Sequence, residues 1–268
     1  MQVEIFGYAA SVLIGVTLGL IGGGGSILTV PVLVYLFSID IVAATAYSLF
    51  IVGATSAVGS INYFRQGLVN VRTAIIFGIP SIVAVFLTRH YIVPAIPSEI
   101  THIGDFILTK GIFMMLLFAV LMIAAAYSMI KPSEENDNTQ NADNQIFNYP
   151  LILAEGLIVG TLTGLIGAGG GFLIIPALVV LSKLPMKEAV GTSLVIIAMK
   201  SLIGFLGENH STLIDWNLML TVTGFAIFGI FIGMFLARHI DGCRLKPAFG
   251  WFTLVMGIYI ILKETFLH

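Results

Sequence analysis

Two runs of glycine interrupt otherwise apolar stretches of this chain: Gly22-Gly23-Gly24-Gly25 ahead of Ser26, and Gly167-Ala168-Gly169-Gly170-Gly171 ahead of Phe172. Each precedes a proline, Pro31 or Pro176, by five to six residues. Glycine accepts backbone conformations that other residues resist and lets a ligand approach the chain closely, and the free amides at a following helix start attract anions. The candidate substrate-binding residues are therefore Gly22, Gly23, Gly24, Gly25, Ser26, Gly167, Gly169, Gly170 and Gly171, two helix starts that could cradle one oxyanion. The alternative is close helix packing, the use that small residues at four-residue spacing have at Gly15/Gly19 and Gly160/Gly164. Runs rather than isolated glycines favour a site.

Lys200 is the only basic residue deep inside an apolar stretch long enough to span, away from its ends, and a charge within the membrane points to function. Snorkelling competes: the six residues to Leu206 rise about 9 Å, which a lysine stem closes in large part. Four hydroxyls, Tyr47, Ser48, Thr192 and Ser193, lie near the start of the helix that follows the short apolar segment after each glycine run, where they could donate to an anion or join helices by hydrogen bonds. Glu208, His210 and Asp215 read as a solvated polar loop, with a protonatable gate as the alternative.

Other chemistries find little support. Neither glycine run continues into Lys then Ser or Thr, which excludes a P-loop and with it ATP. The five histidines are scattered near span ends, and one cysteine, Cys243, rules out an internal disulfide or a thiolate zinc cluster. Neither a metal nor a cofactor is expected. With a formal net charge of −2 and no basic block, the chain lacks the footprint of a nucleic-acid binder.

The elements that must position these residues are membrane helices. Of 268 residues, 58% are hydrophobic and 10% charged, against roughly 25% charged in a soluble domain. The N-terminus lacks a basic n-region and a cleavage site and reads as a retained first helix. The chain repeats itself without gaps at an offset of 145: Gly15/Gly160, Gly19/Gly164, Gly22/Gly167, Pro31/Pro176, Ser48/Ser193, Ser56/Ser201 and Gly59/Gly204. The halves are residues 1–130 and 149–268, joined by a polar, acid-rich linker at 131–148 that cannot bury a core. A bilayer core takes about 20 apolar residues per helix, which predicts spans at 5–21, 41–61, 71–87 and 107–130, repeated at 151–166, 189–206, 218–236 and 247–262. Residues 27–37 and 172–181 are too short to cross and read as half-helices. Because lipid cannot satisfy exposed peptide groups, the breaks before them must face protein or water.

If each broken pair enters and leaves on one side, each half crosses an odd number of times and the repeats are inverted. Arg65, Arg72, Lys131, Lys183, Lys187, Arg238, Arg244 and Lys246 then face one side and Arg89, Lys110 and Lys263 the other. That split of eight to three leans further toward a positive inside than the seven to four of parallel repeats. The expected fold is an all-α integral membrane protein of two inverted repeats, multi-pass in the plasma membrane (the bacterial inner membrane), with the linker cytoplasmic and both termini outside.

The segments GLIGGGGSILTVP at Gly19 to Pro31, GLIGAGGGFLIIP at Gly164 to Pro176 and VGTSLVIIAMKSLIGF at Val190 to Phe205 resemble the sulfite exporter TauE/SafE family across both halves. The resemblance implies transport of sulfite, sulfoacetate or related sulfur anions, and an outward direction. The expectation is a secondary transporter with its site shared by the two breaks and Lys200 supplying a compensating charge, in contact with lipid and open to homodimerisation. The alternative is a membrane-embedded enzyme or an accessory subunit of sulfur metabolism that transports nothing itself.

Overall fold

The computed structural model describes residues 2–103, 106–130, 149–167, 169–182, 184–207, 214–240 and 242–266. The linker, Ala168, Lys183, Glu208 and His210 lie outside the described residues. The first half runs α1 (Gln2–Ile21), α2 (Gly24–Tyr35), α3 (Ile41–Arg65), α4 (Val71–Leu87) and α5 (Lys110–Ile130). The second runs α6 (Tyr149–Ile166), α7 (Gly171–Pro176), α8 (Met186–Leu206), α9 (Trp216–Ala237) and α10 (Gly242–Phe266). These ten helices match the predicted spans and half-helices in order and number. Two additions are local: α4 continues through a π-helical turn, Thr88–Ile92, to Ala95, and a hairpin of β1 (Glu99–Ile103) and β2 (Phe106–Thr109) precedes α5. The span expected from residue 107 therefore begins at Lys110.

Among the described residues, six helices are long and apolar enough to cross a bilayer: α3, α4 with its extension, α5, α8, α9 and α10. The shorter α1 and α2 fold into a hairpin, because Gly24 lies against Thr17, Gly25 against Ile14 and Leu18, and Gly7 against Phe37. The twelve residues of α2 rise about 18 Å, short of the roughly 30 Å hydrocarbon core. Side-chain caps set the starts of three spanning helices: Asp40 accepts from the amides of Val42 and Ala43, Asn70 from Thr73 and Asp215 from Leu218.

The helices pair in a pattern that exchanging the halves leaves unchanged. Helix α1 packs along α9, and α6 along α4. Both pairs run parallel: Gly15 meets Ala226 and Gly19 meets Met234, while Gly156 meets Phe77 and Gly164 meets Thr88. Here the four-residue glycine spacings do pack backbone on backbone, since a Cβ on Gly233 would lie 3.0 Å from the Cα of Gly19. The equivalent helices α3 and α8 run antiparallel, Gly59 facing Leu194 and Gly53 facing Leu202. So do α5 and α10, where Gly250 faces Ile130 and Gly257 faces Ile123. Phe118 and Phe172 are buried edge to face between the halves, and Phe6, Ile79, Phe228 and Phe235 are exposed on the outside, as a lipid-facing surface requires.

Candidate functional site

The two glycine runs meet. A Cβ on Gly23 would lie 2.5 Å from the carbonyl carbon of Gly171, and one on Gly171 would lie 2.6 Å from the Cα of Gly23 and 3.3 Å from the Ser26 hydroxyl. Ser26 Oγ itself donates to the Gly23 carbonyl at 2.6 Å. The hairpin tips thus pass each other backbone to backbone, an approach that side chains on these residues would prevent. Gly22 and Gly167, equivalent in the repeat, both take left-handed φ, +75° and +72°, which glycine adopts without steric cost.

Lys200 is buried and does not reach toward the membrane surface. Its Nζ donates to Thr163 Oγ1 at 3.0 Å, and a Cβ on Gly170 would lie 2.5 Å from that nitrogen. The ammonium therefore bears directly on the second glycine turn. One residue on, Ser201 Oγ would lie 3.2 Å from a Cβ on Gly169; it is buried and has no hydrogen-bond partner among the described residues. Its repeat equivalent Ser56 is also buried and unpartnered, as are Ser48 and Thr55 on the same helix. Buried hydroxyls without partners are uncommon and call for an explanation such as water or a ligand.

The four expected hydroxyls divide. Ser193 lies 2.8 Å from the Cβ position of Gly22 and donates to the Val190 carbonyl at 2.8 Å. Tyr47 Oη accepts from the amide of Asp215 at 2.6 Å, and its equivalent Thr192 Oγ1 accepts from the amide of Asn70 at 2.9 Å. Asp215 and Asn70 cap α9 and α4, so these two oxygens tie each central helix to a helix start in the other half and are not turned to the glycine turns. Gly24 and Gly25 pack on Thr17 and Ile14 within their own hairpin.

Arg89 was assigned by sequence to the membrane surface and is instead buried, its Nη1 donating to Thr45 Oγ1 at 3.1 Å and its other terminal nitrogen against Gly167. A signal existed, since the offset of 145 sets Arg89 against apolar Met234. A cavity of about 240 Å³ opens at the other glycine turn, lined by Leu20, Tyr63, Lys187, Val190, Met234 and Arg238 among others. Lys187 and Arg238 give it cationic side chains, and its wall residue Val190 lies against Gly22.

The family model of the sulfite exporter TauE/SafE matches residues 8–260. A probable membrane transporter protein of Xylella fastidiosa is 29% identical over 255 residues, 94% of this chain and 92% of the relative. The probable membrane transporter protein YdhB of Bacillus subtilis is 25% identical over 249 residues, covering 93% and 96%. One from Methanocaldococcus jannaschii is 31% identical over 199 residues, covering 72% and 68%. No solved structure matches the chain.

Proposed function

The chain belongs to the sulfite exporter TauE/SafE family of multi-pass membrane transporters, and from that premise we propose that it is a secondary carrier, without catalytic chemistry of its own, that moves a small sulfur oxyanion out of the cell. Sulfite, thiosulfate or an organosulfonate binds where the hairpins meet, against Gly22, Gly23, Gly169, Gly170, Gly171, Ser26 and Ser193. Lys200 and Ser201 donate to it, while Tyr47 and Thr192 hold the central helices in register. The observation that carries this reading is the convergence of a buried ammonium and an unpartnered buried hydroxyl on bare glycine backbone. Such a site offers an anion charge compensation and donors with no side chain in the way.

We read the halves as inverted repeats, which the antiparallel course of the equivalent helices α3 and α8, and of α5 and α10, supports. Inversion suits alternating access to one central site, with Arg65, Arg72, Lys187 and Arg238 at the cytoplasmic face. The membrane potential then favours anion exit by about 2.3 kcal/mol per charge per 100 mV. The test is thermal unfolding of detergent-purified protein with sulfite, thiosulfate, sulfate, sulfoacetate and chloride, since selective binding to the native state raises its stability. A shift confined to sulfur anions is expected; equal shifts with chloride, or none, would overturn the assignment.

A further inference from the structure

The two glycine turns are equivalent in sequence and unequal in surroundings. Beside Gly22 stand Val190 and Ser193, and the cavity opens there, with Val190 and Met234 in its wall. Shifting by 145 gives the equivalents at the other turn: Gly22 is Gly167, Val190 is Thr45 and Met234 is Arg89. Equivalent packing supports this mapping, because Ile230 packs on Gly59 as Val85 packs on Gly204, one helical turn before Met234 and Arg89 respectively. Where Met234 lines the cavity, its equivalent Arg89 is fully buried, against Gly167 and hydrogen-bonded to Thr45. Arg89 also sits within the π-helical turn Thr88–Ile92, a departure from α geometry that is frequent at functional positions.

We propose that Arg89 is the closed gate of the anion path on the face opposite Lys187 and Arg238, and the cation that meets the anion as it leaves. The proposal rests on the reading that the anion passes the glycine turns. On one side the cavity reaches Val190 and Met234, and Val190 lies against Gly22; on the other the Arg89 side chain stands against Gly167. Arg89 and Lys200 bear on the same turn, Gly167 to Gly170, so an anion released by the ammonium finds the guanidinium three residues along the backbone. A guanidinium fork matches an oxyanion's geometry.

The test is thiol labelling in a Cys243→Ser background with an anionic, membrane-impermeant methanethiosulfonate, applied to either face of oriented vesicles. Val190→Cys and Thr45→Cys are the equivalent probes, and Ser48→Cys, one turn beyond Thr45, leaves the Thr45 to Arg89 bond in place. Val190→Cys is expected to react only from the Lys187 face, and Thr45→Cys and Ser48→Cys from neither. Adding Arg89→Met, which installs the repeat's own residue, exposes both to the opposite face, whereas Arg89→Lys does not. Reaction of Ser48→Cys from the opposite face with Arg89 present would overturn the gate. So would continued protection of both probes in an Arg89→Met protein whose Val190→Cys still labels normally. The readout involves no substrate, so the expected pattern in a protein that moves no sulfur anion would uphold the gate and reject only the solute.

Discussion

Replacing Lys200 by methionine separates a binding role from a structural one, because the two move in opposite directions. The ammonium lies 3.0 Å from Thr163 Oγ1 and beside the Gly170 turn, so an anion seated on that turn accepts from it directly. A hydrogen bond to a charged group contributes about 1.5–3 kcal/mol. At about 1.4 kcal/mol per decade, Lys200→Met weakens anion binding roughly 10- to 150-fold. The unliganded fold does not suffer, because methionine occupies similar volume and the substitution removes a charge from a buried site where its desolvation is costly. Sulfite titration of the thermal midpoint in parent and variant reads both effects. The expected result is an unliganded midpoint equal to or above the parent's with the sulfite-induced shift moved to far higher concentration. A variant that binds sulfite as the parent does, or one that unfolds much more readily without ligand, would refute the reasoning.

Other perturbations follow from the same contacts. Gly23→Ala places a methyl against Gly171 and 2.8 Å from Ile175 Cδ1; overpacking of this kind costs about 1–3 kcal/mol, read as a lower melting midpoint and lost transport, whereas Gly224→Ala, with nothing within 4 Å, leaves both intact. Gly233→Leu forces apart α1 and α9 where the backbones touch, and is expected to abolish folded protein in size-exclusion profiles. Tyr47→Phe and Thr192→Val each strip an acceptor from a helix-start amide, which costs about 1 kcal/mol; calorimetry should show lowered stability with anion affinity unchanged.

Much of the architecture was legible because lipid leaves the chain few options. Spans announce themselves by apolar length, and the glycine runs stood out as the places where such lengths broke, so the hairpins and the meeting of Gly23 with Gly171 follow from the doubled motif. The inward course of Lys200 was one of two readings, and only packing decides it: Thr163 on α6 offers the acceptor. The burial of Arg89 was missed because it lies near the end of an apolar stretch, next to His90, where a surface charge is the ordinary expectation. The π-helical turn that carries it has no sequence signature. The shared role of Tyr47 and Thr192 was hidden for another reason, since a tyrosine and a threonine at equivalent positions look unrelated until both are seen accepting from a capping residue's amide. The hairpin of β1 and β2 is a short surface element that hydrophobic length does not predict.

The most direct measurement is uptake of radiolabelled sulfite into liposomes containing the purified protein, with and without an imposed membrane potential and against unlabelled thiosulfate, sulfate and chloride. The account predicts saturable uptake that follows the potential, is competed by sulfur oxyanions and not by chloride, and is lost in Lys200→Met. Uptake no faster than in protein-free liposomes for every sulfur anion, from protein that still unfolds cooperatively, would contradict it.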